Sequence, residues 1–157
     1  MTGRVVLIGV GNPYRRDDGV GWVVAEAAAR RLGGAVEVRQ SDGEPTRLLD
    51  AWAGKELAVV IDAMHSGAEP GTIRVLEAAD ESSAALSRVP LGSHALGILH
   101  AETLGRTLDQ LPQRLVVVGI EADESGFGEG LSPRVASAVG TAASLVARLV
   151  EAPTQEQ

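Results

Sequence analysis

Cysteine is absent from this chain of 157 residues. Its absence excludes disulfide bonds, thiolate metal sites and cysteine nucleophiles, and leaves the redox compartment undetermined. Aromatic residues make up only 3% of the chain against an apolar total of 45%, so the core must be built from Val, Leu, Ile and Ala. That composition is typical of parallel strands covered by alanine-rich helices on both faces.

Long apolar runs and an excess of positive charge are also missing. No run approaches the ~20 residues that span a bilayer. The first residues lack a small-residue cleavage site, so we interpret them as a strand and not as a signal peptide. The formal charge of −7 repels nucleic acid and anionic membranes at long range. We therefore expect a cytoplasmic protein whose partners include neither nucleic acid nor a membrane.

Strands and helices alternate along the chain. The predicted strands cover residues 4–10, 36–39, 57–61, 72–76 (an edge strand) and 114–120, and the predicted helices cover 19–32, 46–53, 95–108 and 133–150. This alternation predicts a single α/β domain over residues 1–150, with three layers and a mostly parallel, twisted sheet. Residues 78–93 are the least regular stretch, and a polar tail at 151–157 is expected to be disordered.

Polar loops follow the three most apolar strands, at residues 11–18, 62–67 and 121–130. Ligands in such sheets bind outside the carboxyl ends of the strands. We therefore expect the functional site at this edge of the sheet.

Gly9 and Gly11, separated by one residue after the first strand, invite comparison with a dinucleotide-binding loop. That fingerprint requires a third glycine where Tyr14 stands. Asp17 and Asp18 would also repel phosphates at the mouth of the following helix. A nucleotide-binding module is therefore the weaker alternative, and the glycines are expected to serve a tight turn.

Asp18, Asp62 and His94 are candidate site residues, and each also has a structural interpretation. Asp17 or Asp18 can cap the first helix, which leaves the other carboxylate free. Asp62 follows a buried strand, where a carboxylate is costly unless something pairs with it. It either closes a turn or acts as a catalytic or metal-binding acid. His94 lies at a helix start, and a lone histidine is more often structural than a ligand.

Two other histidines compete for the site. His65 shares a loop with Asp62 and can join it, whereas His100 is expected on a helix surface. The zinc pair H-E-x-x-H, the nucleophile elbow G-x-S-x-G and the aspartic-protease sequence D-[ST]-G are absent. Any hydrolysis must therefore use water activated by carboxylates or by a metal.

Taken together, these segments resemble the nickel–iron hydrogenase maturation proteases from Val5 to about Val150. The most specific part is GVGN at 9–12 with RDDGVG at 16–21, which is similar to the family's G-x-G-N…D-[DE]-x-x-G. Further similar segments are VIDA at 60–63, SHALG at 93–97, VVGI at 117–120 and LSP at 131–133. The resemblance implies a three-layer α/β/α domain of the phosphorylase/hydrolase-like type.

The resemblance also implies roles for particular residues. Asp18, Asp62 and His94 match the family's metal-contacting acid, acid and histidine, and would be both catalytic and nickel-contacting here. The positions implied in substrate recognition are Asn12, Asp42, Gly43 and Thr46. The family continues its Asp-Gly segment with Gly and Thr, whereas this chain has Glu44 and Pro45 before Thr46. That departure concerns which large subunit is recognised, and not the reaction.

The implied reaction is one cut in the precursor of a nickel–iron hydrogenase large subunit, which removes a C-terminal extension after nickel insertion. Two carboxylates and one imidazole form an incomplete donor set for nickel, with open positions and no thiolate. We therefore expect the substrate to carry the nickel, and the protein to be metal-free at rest and to need no organic cofactor.

Two mechanisms stay open at this point. Either nickel polarises the scissile carbonyl or a water with Asp18 or Asp62 as base, or nickel only docks the substrate while another acid, such as Asp17, activates water. A non-catalytic hydrogenase-assembly chaperone of the same fold is the alternative function.

Overall fold

The computed structural model describes residues 3–78 and 94–152. Within these stretches the chain forms β1 (Val5–Val10), a short 3-10 helix (Arg16–Gly19), α1 (Val20–Arg31), β2 (Glu37–Ser41), α2 (Pro45–Trp52), β3 (Leu57–Met64), β4 (Ile73–Ala78), α3 (Ala95–Leu108), β5 (Arg114–Glu121) and α4 (Pro133–Glu151). None of these helices is long and apolar enough to cross a membrane.

The strands form one sheet in the order β2-β1-β3-β5-β4. The first four strands in that order are parallel, and β4 runs antiparallel to β5 at the edge. The predictions of a mostly parallel sheet and of an edge strand near residues 72–76 are therefore confirmed. β3 is the central strand of the sheet and is buried along its whole length. Its carboxyl end therefore lies in the middle of the sheet edge at which we expect the functional site.

Helices cover both faces of this sheet. Strand side chains alternate between the faces: Leu7 and Val59 pack under α1 and α4, whereas Val60 packs under α2 and α3 with Trp52. Each face therefore buries its own apolar cluster, and the predicted α/β/α arrangement of three layers is confirmed.

Several predicted details are wrong. β3 does not end at Ile61 but continues to Met64, because Met64 is paired with Glu121 of β5; Asp62 therefore lies within a strand and not after it. β2 covers Glu37–Ser41 in place of 36–39. The predictions for residues 79–93 and for the tail beyond Ala152 lie outside the described residues.

Candidate active site

Asp18, Asp62 and His94 meet at the carboxyl edge of the sheet. Asp18 lies in the 3-10 helix after β1, Asp62 in β3, and His94 directly before α3. Nδ1 of His94 lies 3.4 Å from Oδ1 of Asp62, and Nε2 lies 3.7 Å from Oδ2 of Asp18. The imidazole therefore stands between the two acids, with one ring nitrogen facing each.

Asp62 has no exposed surface. Its Oδ1 accepts a hydrogen bond from the N–H of Ala63 at 2.8 Å, and its Oδ2 is buried without a hydrogen-bond partner among the described residues. Burial raises the pKa of Asp62 to about 6, and the neighbouring His94 opposes this rise. A buried carboxylate oxygen left unpaired is costly. Closing a turn therefore does not account for this residue.

His94 is largely buried, with 13% of its side chain exposed. The Asp62 carboxylate raises the pKa of His94 above its usual value, burial opposes that effect, and Asp18 and Asp42 add to the rise. Nδ1 makes no aligned hydrogen bond, but it lies within ion-pair distance of the Asp62 carboxylate. A metal that binds this imidazole would therefore compete with a proton whose binding the two acids favour.

Asp18 closes the loop that follows β1. Its Oδ2 accepts the backbone N–H of Asn12 at 2.9 Å. In a nucleotide-binding loop such an N–H would face a phosphate, but here a carboxylate already occupies the position. This contact removes the physical basis of the nucleotide-binding alternative.

Two glycines allow the elements of the site to approach closely. A Cβ at Gly21 would lie 2.1 Å from the carbonyl oxygen of Ile61, so α1 packs directly against β3 beside the acid at position 62. A Cβ at Gly97 would lie 2.0 Å from the carbonyl oxygen of Gly43. The first turn of α3 therefore rests on the loop between β2 and α2, which holds His94 in place.

Two side chains of the cluster have unpaired polar atoms that a metal ion could contact. Asp62 and His94 each offer a buried polar atom that lacks a hydrogen-bond partner, and oxygen and imidazole donors are acceptable to nickel. In residues 3–78 and 94–152, however, no three acid or histidine side chains are arranged to hold a metal ion. Asp62 faces one ring nitrogen and Asp18 the other, so the imidazole must turn before all three can contact one ion.

Asp17 does not cap α1, contrary to the expectation for one of the paired aspartates. Gly19 is the N-cap of α1, without a side-chain cap, as it follows the 3-10 helix. The fully buried Asp17 carboxylate accepts hydrogen bonds from the N–H groups of Asp123, Glu124 and Ser132 and from the Ser132 hydroxyl. Because both oxygens are engaged, Asp17 is poorly suited to act as a general base. Sequence reasoning missed this anchoring role.

The other candidates lie around this cluster. His65 and His100 are exposed, as expected for His100, while nothing in the structure brings His65 to the acids. Gly43 lies against His94, since a Cβ there would be 3.1 Å from the histidine Cβ.

Asp42 and Thr46 are exposed beside the cluster. Asp42 accepts a hydrogen bond from the guanidinium of Arg47 at 3.1 Å, and Thr46 donates its hydroxyl to Glu44, which caps α2. Asn12 is also exposed, and its Oδ1 accepts the N–H of Tyr14. The substrate-recognition roles of Asn12, Asp42, Gly43 and Thr46 stay predictions.

The fold is a doubly wound α/β domain, and an acid–imidazole–acid cluster lies at the carboxyl edge of its sheet. Similarity to known proteins shows which family has this combination. The family model described as hydrogenase maturation protease matches residues 27–149. The chain therefore belongs to the hydrogenase maturation protease family, whose members are hydrolases acting on peptide bonds. The matched span contains Asp62 and His94 and begins after Asp18.

Curated relatives agree with this assignment. The chain is 29% identical over 135 residues to the hydrogenase 2 maturation protease of Escherichia coli, a match that covers 84% of this chain and 81% of the relative. It is 28% identical over 134 residues to the hydrogenase expression/formation protein HupD of Thiocapsa roseopersicina, covering 83% of this chain but only 60% of that relative.

Solved structures show the same fold. The hydrogenase maturating endopeptidase HybD from E. coli superposes with a TM-score of 0.79 at 22% identity, covering 94% of this chain and 92% of the other. The [NiFe] hydrogenase maturation protease HybD from Thermococcus kodakarensis gives a TM-score of 0.76 at 26% identity, covering 93% and 98%.

Proposed function

We propose that this chain is an endopeptidase that removes a C-terminal extension from the precursor of a nickel–iron hydrogenase large subunit after nickel has been inserted. The family assignment supports peptide-bond hydrolysis in the processing of a hydrogenase. The contact of His94 with both Asp18 and Asp62 carries the remainder of the proposal. This cluster combines a proton acceptor with donor atoms for a metal on the substrate.

Recognition of nickel depends on the state of His94 in this proposal. The Asp62 carboxylate raises the pKa of His94, burial opposes that rise and Asp18 adds to it, so the two acids favour a positive charge at this position. Nickel on the precursor would supply a positive charge there and would compete with a proton for the imidazole, and the two acids would favour the bound metal. A precursor without nickel offers no such charge, so it is not selected.

Asp62 is the preferred base for the water that attacks the scissile carbonyl. Its pKa of about 6 leaves the carboxylate mainly ionised at neutral pH, while making it a stronger proton acceptor than an ordinary aspartate. Asp17 is the weaker candidate because four donors already bind its carboxylate.

Cleavage of nickel-loaded precursor by the Asp62→Asn variant tests the proposal. We expect the wild type to shorten the precursor and the variant to lose at least a hundredfold in rate, a typical loss when a general base is removed. Asp50→Asn, at an exposed position of α2, is the matched control. Full activity of Asp62→Asn would contradict a role for Asp62 as base or ligand. Binding without cleavage by the wild type would favour an assembly chaperone.

Processing in the cytoplasm is part of this proposal. Fractionation of cells, with detection of both this chain and the unprocessed precursor, tests that setting.

A further inference from the structure

The only phenylalanine and the only tyrosine of the chain are both exposed. Phe127 has 93% of its surface exposed and Tyr14 has 65%. Large aromatic side chains are normally at least partly buried, and they are enriched where proteins bind other polypeptides. A chain with so few aromatic residues thus keeps two of them out of its core.

The two aromatic residues lie on segments that are joined to each other. The N–H of Gly128 donates to the carbonyl of Tyr14 at 2.9 Å, and the N–H of Arg16 donates to the carbonyl of Gly128 at 2.9 Å. The guanidinium of Arg15 lies 5.8 Å from the centroid of the Phe127 ring. This surface is therefore held in place before any partner binds, which lowers the entropy lost on binding.

Tyr14 lines a groove of about 260 Å³. Its main lining residues are Pro13, Tyr14, Val23, Leu131, Arg16 and Glu129. The wall is mainly apolar, and its two charged residues have opposite signs. Val23 of α1 lines this groove and is 39% exposed.

The groove borders the short helix that carries Asp18. Gly19 lines the groove and directly follows Asp18 in the 3-10 helix. A polypeptide held at the cluster for cleavage therefore lies close to the groove. The volume is below the ~300–1,000 Å³ of typical small-ligand pockets, so the groove suits an apolar side chain better than a cofactor.

We propose that Tyr14, Phe127 and this groove, together the Tyr14–Phe127 surface, dock an apolar segment of the precursor polypeptide next to the bond that is cut. This inference rests on the proposed function and names the part of the substrate that the enzyme holds. In this proposal the cluster of Asp18, Asp62 and His94 recognises the metal, and the Tyr14–Phe127 surface binds the adjoining part of the precursor polypeptide.

The test compares the wild type with Tyr14→Ser, Phe127→Ser and the double variant. Leu108→Ser is the matched control, because Leu108 is 50% exposed and ends α3, a helix that begins beside His94. Cleavage is measured against the concentration of nickel-loaded precursor. We expect the double variant to need at least tenfold more precursor for half-maximal rate, with kcat within about twofold, as for loss of binding-energy hot spots. We expect the control to match the wild type.

Three results would overturn the inference. The first is an unchanged half-saturating concentration in the double variant, which leaves the proposed function intact. The second is a loss confined to kcat. The third is a wild-type dimer that the double variant converts to monomer in analytical ultracentrifugation, because the surface would then bind a second copy of this chain.

Failure of the proposed function is distinguishable from these results. If the wild type does not cut the precursor, direct binding of the uncut nickel-loaded precursor is compared in all variants by surface plasmon resonance. Weaker binding by the double variant alone supports the docking surface without the cleavage. Equal binding, or no binding by any variant, overturns it.

Discussion

Asp17 binds Ser132 through two hydrogen bonds, although 115 positions separate the two residues in the chain. The backbone N–H and the hydroxyl of Ser132 each donate to the carboxylate at 2.7 Å. Ser132 is also the N-cap of α4, with no capping hydrogen bond from its side chain. One carboxylate thus joins the loop after β1 to the start of the last helix, and this connection positions the neighbouring Asp18.

Replacement of Asp17 by Asn is expected to destabilise the fold. The amide has one acceptor oxygen in place of two and carries no charge, so several of the donors lose a partner. Hydrogen bonds to a charged group contribute ~1.5–3 kcal/mol each. We expect the free energy of unfolding to fall by about 2–3 kcal/mol, measured by urea denaturation. Asp50→Asn is the control, and a variant as stable as this control would show that the Asp17 contacts contribute little.

The same residue predicts a pH dependence. Burial acts to raise the pKa of Asp17, but its hydrogen bonds outweigh that effect and hold the pKa below the usual value of 3.8. A group with a lowered folded-state pKa stabilises the fold above its unfolded pKa, and this stabilisation is lost as the pH falls through the folded-state pKa. We expect wild-type stability to decline below about pH 4 and Asp17→Asn to decline less. Parallel pH profiles of the two proteins would contradict this expectation.

Local sequence predicts most elements of this fold, because buried parallel strands appear as continuous apolar runs. The rule that ligands bind at the carboxyl ends of parallel strands also predicts that Asp18 and Asp62 come together, whereas the resemblance to the family is what implied that His94 joins them. Two features of the structure could not be predicted from local sequence. β3 extends past its apolar run only because Met64 pairs with Glu121. No short-range pattern connects these two positions.

The orientation of His94 is the other feature that sequence does not predict. Which ring nitrogen faces which acid depends on how α3 rests on the loop at Gly43. Local sequence also does not predict that a distant loop anchors Asp17. Two adjacent aspartates before a helix suggest helix capping at least as strongly as a tertiary contact.

Replacement of Asp62 by Asn is expected to lower the pKa of His94. The carboxylate at position 62 is the main cause of the raised pKa, and burial acts against it. Once the charge at position 62 is removed, burial should bring the pKa of His94 down toward 6.5, the ordinary value for histidine. NMR titration of the imidazole resonances measures this shift.

A result that left the His94 titration unchanged would contradict the ion pair itself. Asp50→Asn is again the control, because a general change in net charge would then shift the titration in both variants. The measurement needs no substrate, so it tests the geometry of the cluster independently of its proposed chemistry.

Replacement of Gly97 by Ala is expected to disturb the site through packing alone. The new Cβ would lie 2.0 Å from the carbonyl oxygen of Gly43, so α3 or the loop must move. Overpacking of this kind typically costs ~1–3 kcal/mol. We expect a melting temperature lower by about 2–10 °C and a changed titration of His94.

Gly126→Ala is the matched control for this substitution. A Cβ at Gly126 would meet nothing within 4 Å, and its backbone does not require glycine, so the same change of residue should leave stability and titration unaltered. If Gly97→Ala behaved like Gly126→Ala in both measurements, the close contact with Gly43 would not be what holds His94 between the two acids. Because alanine favours helices over glycine by ~1 kcal/mol, any loss observed at position 97 would understate the cost of the contact.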